Sequence, residues 1–155
     1  MTRRAIGILL VAVQFVLIVA VVLLPWIDPL WPRDAVVFTV AGVLALVGAL
    51  IAVLGVRGLG RSLTASPVPL DRSELVTDGL YGWVRHPIYS GLMLGVLGIA
   101  LAGATWWHVG VWLALAVLLM AKARWEERML VERYDGYRAY ARRVGRFIPG
   151  IGRLR

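Results

Sequence analysis

Long uncharged stretches alternate with short polar ones along the chain. Residues 5–24 and 35–56 carry no charged side chain. Each stretch is long enough to cross the ~30 Å hydrocarbon core of a bilayer, which takes about 20 helical residues. Residues 88–104 and 106–121 form two shorter uncharged runs, and Gly103-Ala104-Thr105 is a plausible tight turn between them. The pattern predicts an all-α integral membrane protein with about four transmembrane helices, of which the last two form a helical hairpin.

Composition narrows the class of protein. Of the 155 residues, 60% are hydrophobic, the mean hydropathy is +0.78 and the formal net charge is +8. This hydrophobicity excludes a disordered chain and argues against a soluble nucleic-acid-binding protein, so we expect no nucleic-acid partner. The chain has no cysteine. The two histidines are expected at opposite membrane surfaces, so we predict no metal site.

The basic residues predict an orientation. All but one of the 17 lysines and arginines lie outside the 25–34 loop and the 104–108 turn. Under the positive-inside rule, this bias places both termini in the cytosol of a multi-pass protein of the cell membrane. The first apolar stretch is longer than a typical signal-peptide core, so we expect it to remain as a spanning helix.

The boundaries of the uncharged stretches divide the chain into three parts. Residues 1–56 are predicted to form an N-terminal transmembrane hairpin, and residues 57–86 a cytosolic connecting loop. Residues 87–155 would form the second hairpin and a cytosolic, helical C-terminal segment. We expect a single domain overall. Residues 57–79 are rich in Gly, Ser and Pro, which favours a loop or a short broken helix.

The first candidate site lies at the start of the third span. Proline suits the first turn of a helix and disfavours helix before it, so we expect the span to begin at Pro87, with His86 near its N-cap. Arg85 and His86 would add positive or hydrogen-bonding groups to the helix N-terminus, which favours an anion site at the cytosolic surface. Alternatively, Arg85 is a membrane anchor and Tyr89 an interfacial aromatic residue. The residues alone leave these two interpretations equally open.

The second candidate is Glu126-Glu127, where the fourth span leaves the membrane. Consecutive helical residues point about 100° apart, so the two glutamates should face different partners. One could face inward and bind an ammonium group or ribose hydroxyls, and the other could pair with Arg124 or Arg128. The alternative is a solvated helical face.

A third candidate is the C-terminal segment with Tyr137 and Tyr140. These tyrosines could line a pocket for a planar or cationic ligand. The alternative is a basic amphipathic helix that lies on anionic lipid.

The ordered set of motifs resembles a known family. The set comprises Gly79, Tyr81, Arg85-His86-Pro87, Tyr89 and Gly91, followed by Glu126-Glu127, Tyr137, Tyr140, Arg146 and Pro149. Over residues 57–155 the chain resembles the isoprenylcysteine carboxyl methyltransferase family and the related membrane phospholipid N-methyltransferases. The resemblance implies S-adenosylmethionine-dependent methylation of a hydrophobic or lipid-linked acceptor that arrives from the bilayer.

The resemblance also implies site residues. The cofactor would be bound by Tyr81, Arg85, His86, Pro87, Tyr89, Glu126, Glu127, Tyr137 and Tyr140. Catalytic roles would fall to Arg85, His86 and Arg146. An arginine would orient a carboxylate acceptor, and His86 or a glutamate could take a proton from an amine or a thiol. No dedicated base stands out, which favours a carboxylate that is already anionic at neutral pH.

Other functions stay open at this point. Within enzymes, the alternatives are phospholipid N-methylation and thiol S-methylation. Outside enzymes, they are a small four-helix transporter or a membrane scaffold. A proton-coupled transporter is expected to carry an ionisable residue in mid-membrane. The strongest polar groups in the predicted spans are Gln14 and Thr39, and the ionisable residues gather at the cytosolic rim.

Overall fold

Helices make up most of the part of the chain that the structure describes. The structure is a computed structural model, and it describes residues 2–60 and 75–154. Its helices are α1 (Arg3–Leu23), α2 (Ala35–Leu59), a 3₁₀ helix (Gly79–Gly82), α3 (Pro87–Gly103), α4 (Trp106–Arg133) and α5 (Tyr137–Arg143). The described residues contain no strand, only an isolated parallel bridge between Val84 and Gly145. The predicted fold class is confirmed. Nearly half of the predicted connecting loop, residues 61–74 of 57–86, lies outside the described residues.

Three of these helices are long and apolar enough to cross a membrane, namely α1, α2 and α4. The fourth apolar helix, α3, has 17 residues, which is at the lower limit for a span. Large apolar side chains such as Val16, Leu46 and Val117 are about two-thirds exposed or more, at 66%, 72% and 70%. Lipid chains around the helices would cover this surface, so the molecule is a membrane protein.

The predicted hairpin is present between α3 and α4. Ala104 adopts a left-handed conformation with φ of 51°, which ends α3 after Gly103. Thr105 then caps α4, because its hydroxyl oxygen accepts a hydrogen bond from the His108 N–H at 3.3 Å. His108, which the sequence predicts at a membrane surface, lies at this turn with its side chain fully buried in the protein. Its Nδ1 lies 2.7 Å from the Thr105 hydroxyl.

Small residues allow α2 and α3 to pack backbone against backbone. A methyl group added to Gly91 would lie 2.5 Å from the Gly48 carbonyl oxygen and 2.6 Å from the Ala52 nitrogen. A methyl group on Gly98 would likewise meet the backbone of α2 at Ala41. The helices therefore approach as closely as small-residue interfaces in membranes permit.

The ends of the helices that carry the charged motifs lie together. The Arg3 guanidinium pairs with the Glu132 carboxylate at 3.0 Å, which brings the start of α1 beside the end of α4. As predicted, α3 starts at Pro87 with His86 as its N-cap residue. Polar side chains at this end of the bundle form the candidate site.

Candidate functional site

The carboxylate of Glu127 lies at the centre of a buried ionic network. Its Oε1 accepts hydrogen bonds from Arg85 Nε at 2.9 Å and Arg85 Nη2 at 2.8 Å. Arg146 approaches from the C-terminal segment, with Nε 3.0 Å from Oε1 and Nη2 2.7 Å from Oε2. His86 Nε2 is 3.2 Å from the same Oε1. Three basic side chains therefore surround one carboxylate, and only 6% of the Glu127 side chain is exposed.

Arg85 uses all of its hydrogen-bonding capacity within the protein. Besides its bonds to Glu127, Nη1 donates to the carbonyl oxygens of Ala141 at 2.9 Å and Val144 at 2.5 Å, and Nη2 donates to that of Gly152 at 2.9 Å. A guanidinium has five N–H donors, and Arg85 makes five hydrogen bonds to four acceptor atoms, because Glu127 Oε1 accepts two of them. Arg85 thus fastens the C-terminal segment to the start of α3.

Backbone pairing explains how Arg146 reaches the network. The Arg85 N–H donates to the Gly145 carbonyl at 2.8 Å, and the His86 N–H donates to the Arg146 carbonyl at 3.1 Å. The Ser90 hydroxyl donates to the Phe147 carbonyl at 2.8 Å. The chain around residue 146 therefore runs beside the residues that precede α3. The hydrogen bond to Glu127 is the main reason that the pKa of Arg146 is raised.

Glu126 faces the other side of His86. Its Oε2 accepts a hydrogen bond from the Tyr89 hydroxyl at 2.9 Å and lies 3.8 Å from His86 Nδ1. The rings of His86 and Tyr89 are stacked, with centroids 5.3 Å apart and planes 3° apart, and Phe147 adds a tilted ring 5.9 Å from His86. The Glu126 side chain is 25% exposed, so this carboxylate is the more accessible of the pair.

The three tyrosines around this network are buried. The Tyr81 hydroxyl donates to the Gly55 carbonyl at 3.2 Å, and the Tyr140 hydroxyl donates to the Tyr81 carbonyl at 2.6 Å. The hydroxyl of Tyr137 is buried and has no hydrogen-bond partner among the described residues. Burial raises the pKa of Tyr140 to about 12, and it also raises the pKa values of Tyr81 and Tyr137.

Two polar residues beside the site do not belong to the motif set. Lys122 Nζ donates to the Gln14 side-chain oxygen at 2.8 Å and lies 4.9 Å from the centroid of the Tyr89 ring. Both residues are buried. The sequence indicated Gln14 only as a polar group in α1, and Lys122 only as the first charge after the fourth span. The one indication of this pair in the sequence was Gln14 itself, because a glutamine within an apolar helix needs a polar partner.

The structure gathers the sequence candidates around the two glutamates. Arg85, His86 and Arg146 contact Glu127, and Tyr89 contacts Glu126. Both glutamates face inward, and neither has Arg124 or Arg128 as an ion-pair partner in the described part of the chain. The remaining candidates, which are Tyr81, Pro87, Tyr137 and Tyr140, pack around this network as buried residues.

A bundle of apolar helices with a cluster of charged and aromatic side chains at one end defines a helical membrane protein with a polar site at the end of its bundle. The profile of the phospholipid methyltransferase family matches residues 36–136, which include α3 and the Glu126-Glu127 pair. The chain belongs to this family of membrane methyltransferases.

Similar proteins occur in bacteria and in a yeast. The chain is 33% identical over its full length to the cobalt-zinc-cadmium resistance protein CzcN of Cupriavidus metallidurans, covering 68% of that protein. It is also 33% identical over its full length to the nickel-cobalt-cadmium resistance protein NccN of Alcaligenes xylosoxydans xylosoxydans, covering 69% of that protein. An uncharacterised Schizosaccharomyces pombe protein is 36% identical over 79 residues, which are 47% of this chain and 23% of the yeast protein.

Proposed function

We propose that the protein transfers a methyl group from S-adenosylmethionine to a hydrophobic, lipid-borne acceptor at the cytosolic membrane surface. The observation that carries this proposal is the accessible carboxylate of Glu126 beside the stacked rings of His86 and Tyr89. Membership of the phospholipid methyltransferase family supports it. The shared location of the α1 start and the α4 end supports the proposal that both termini lie on one side of the membrane, which the bias of the basic residues assigns to the cytosol.

The donor groups of this site fit the cofactor. When bound, S-adenosylmethionine supplies a methyl group on a sulfonium sulfur that is already activated for in-line displacement. Glu126 would accept hydrogen bonds from the ammonium group or the ribose hydroxyls. The face of the Phe147 ring, which lies beside His86, would favour a cation nearby. The unpartnered, buried hydroxyl of Tyr137 is a further donor for a bound ligand.

Glu127 and Arg85 suit a positioning role. Their polar atoms are engaged with each other, with Arg146 and with backbone carbonyls. A ligand that bound directly to either side chain would have to break these contacts inside a buried network, which is costly. We therefore assign cofactor contact to Glu126. Arg85 and Glu127 would hold His86 and Arg146 in place.

Arg146 would orient the methyl acceptor. Its Nε and Nη2 bind Glu127, whereas its Nη1 has only the Met120 sulfur as a partner within residues 2–60 and 75–154, at 3.7 Å. A thioether is a weak acceptor, so this edge of the guanidinium remains available for an anionic oxygen. A carboxylate acceptor held there needs no base, because it is ionised at neutral pH. The site would supply alignment and would exclude water.

An amine acceptor is the second candidate. The Glu126 carboxylate is partly exposed and is hydrogen-bonded to Tyr89, so it could take the proton that a phospholipid amine must lose. The description of the matched family agrees with such an acceptor. A thiol would require the same proton transfer. The names of the bacterial relatives refer to metal resistance. Among the described residues, no group of three or more His, Cys, Asp or Glu side chains could hold a metal ion.

Methyl-labelled S-adenosylmethionine tests the proposal and separates the acceptors. The protein is incubated in native membranes, and the lipid extract is then treated with base. A base-labile volatile label indicates a carboxyl ester, and a base-stable label in lipid indicates N-methylation. The variant Glu126→Gln should lose transfer, whereas Arg143→Gln, at an exposed position on α5, should retain it. If no label is transferred and calorimetry detects no S-adenosylhomocysteine binding, the methyltransferase proposal is wrong.

A further inference from the structure

A basic cavity lies between the end of α4 and α5, beside the candidate site, and Glu127 and Arg146 of that site belong to its lining. Its volume is about 590 Å³. Four exposed arginines line it, from α4 Arg124 and Arg128, and from α5 Arg138 and Arg142. Side chains from two different helices thus converge on one cavity.

The carboxylates in this cavity are already paired. Glu127 binds Arg85 and Arg146, and Glu132 binds Arg3. By contrast, the four arginines have no ion-pair partner among the described residues. The cavity therefore holds a positive charge that the described residues leave uncompensated, so a ligand of opposite charge is expected.

The chemistry of the lining favours a phosphate group. Guanidinium groups bind phosphate oxygens through two parallel hydrogen bonds, and several can share one phosphate. Because both carboxylates are already paired with arginines, the cavity attracts a phosphate more strongly than the ammonium group of a zwitterionic headgroup. A phosphate whose negative charge is not balanced within the same ligand suits it better.

The position of the cavity along α4 indicates where such a phosphate comes from. Arg124 and Arg128 follow the first residue of α4, Trp106, by 18 and 22 positions, which is about 27 and 33 Å of helix. The hydrocarbon core is ~30 Å thick, and the headgroups lie immediately outside it. With Trp106 at the opposite membrane boundary, these arginines lie at the depth of lipid phosphates.

We propose that the four exposed arginines of this cavity bind the phosphate of an anionic membrane lipid, beside the candidate site with which the cavity shares Glu127 and Arg146. The proposal does not depend on the methyltransferase function. Inorganic phosphate shares the same chemistry, but the depth of the arginines favours the lipid.

Lipid binding by purified protein tests the proposal. The protein in detergent is titrated with short-chain phosphatidylglycerol, with phosphatidylcholine and with inorganic phosphate, and bound molecules are measured by native mass spectrometry. The test variant is Arg128→Gln with Arg142→Gln. The control is Arg143→Gln with Arg153→Gln, which removes the same charge from exposed positions that do not line the cavity. Thermal unfolding checks that both variants are folded.

We expect phosphatidylglycerol to bind in preference to phosphatidylcholine. The test variant should weaken this binding by about tenfold or more, because a basic residue near the membrane surface contributes about 1 kcal/mol to the attraction of anionic lipid. The control variant should bind like the unaltered protein. Equal losses in the two variants would show a general basic surface and overturn the proposal. Binding of inorganic phosphate with no preference for lipid would also overturn the proposal. The same holds if the test variant loses S-adenosylhomocysteine binding while its lipid binding is unchanged.

Discussion

The side chains of Lys122 and Gln14 join α4 to α1 through a buried hydrogen bond of 2.8 Å. The lysine also lies 4.9 Å from the ring centroid of Tyr89, which in turn donates its hydroxyl hydrogen bond to Glu126. A contact from the first helix therefore reaches the candidate site. Its energetic importance follows from the cost of leaving a buried ammonium group without an acceptor.

Replacing Gln14 with Leu should destabilise the protein through Lys122. Hydrogen bonds to charged groups contribute about 1.5–3 kcal/mol, and Gln14→Leu would remove the only hydrogen-bond acceptor of Lys122 seen among the described residues. We expect the free energy of unfolding, measured in detergent, to fall by about 2 kcal/mol. The double variant Gln14→Leu with Lys122→Met should recover part of this stability, because the buried charge is then gone. Equal or greater loss in the double variant would contradict this coupling.

The two adjacent glutamates should respond differently to replacement by glutamine. Glu126→Gln should lower S-adenosylhomocysteine affinity by about 10- to 100-fold, which is the effect of losing a charged hydrogen bond, with little change in stability. Glu127→Gln should cost about 3–5 kcal/mol, because it leaves Arg85 and Arg146 without their carboxylate. Calorimetry and thermal unfolding measure the two effects. If Glu127→Gln folds normally and loses only cofactor binding, our assignment of the two roles is reversed.

Alanine at Gly91 should weaken the packing of α2 on α3. The added methyl group would meet the backbone of Gly48 and Ala52. Overpacking of this kind typically costs about 1–3 kcal/mol, and here neither helix backbone can give way easily. The matched control is Gly42→Ala, where nothing lies within 4 Å of the added methyl group. Thermal unfolding should separate the two variants. A Gly91→Ala protein as stable as the control would refute the close approach of the helices.

Alkaline pH should loosen the C-terminal segment through Tyr140. Its pKa is raised from 10.0 to about 12, so the unfolded chain loses this proton at lower pH than the folded one. The stability that this group contributes is therefore complete below pH 10 and is lost as the pH rises to about 12. We expect Tyr140→Phe to reduce the loss of stability over this interval, measured by unfolding at pH 9 and pH 12. An unchanged pH profile would show that Tyr140 does not contribute.

The fold was largely predictable because a membrane span can be recognised from a continuous run of uncharged residues. Uncharged runs of sufficient length located the starts of all four apolar helices to within a few residues, and Pro87 marked the start of α3. The run over residues 106–121 did not show that α4 continues to Arg133. The shorter runs could be identified as a hairpin because Gly103-Ala104-Thr105 separates them. The residue types at the helix ends also identified Arg85-His86 and Glu126-Glu127 as candidate sites.

The sequence by itself determined the membrane class, the helices and the residue types available at one end of the bundle. Only the tertiary structure decided which side chains contact one another. Glu127 is enclosed by three basic side chains, whereas Glu126 remains accessible beside Tyr89. Lys122 proved to be a buried partner of Gln14, 108 positions away. The reason is physical: helix formation depends on neighbouring residues, whereas ion pairing and burial depend on how the helices and the C-terminal segment pack together.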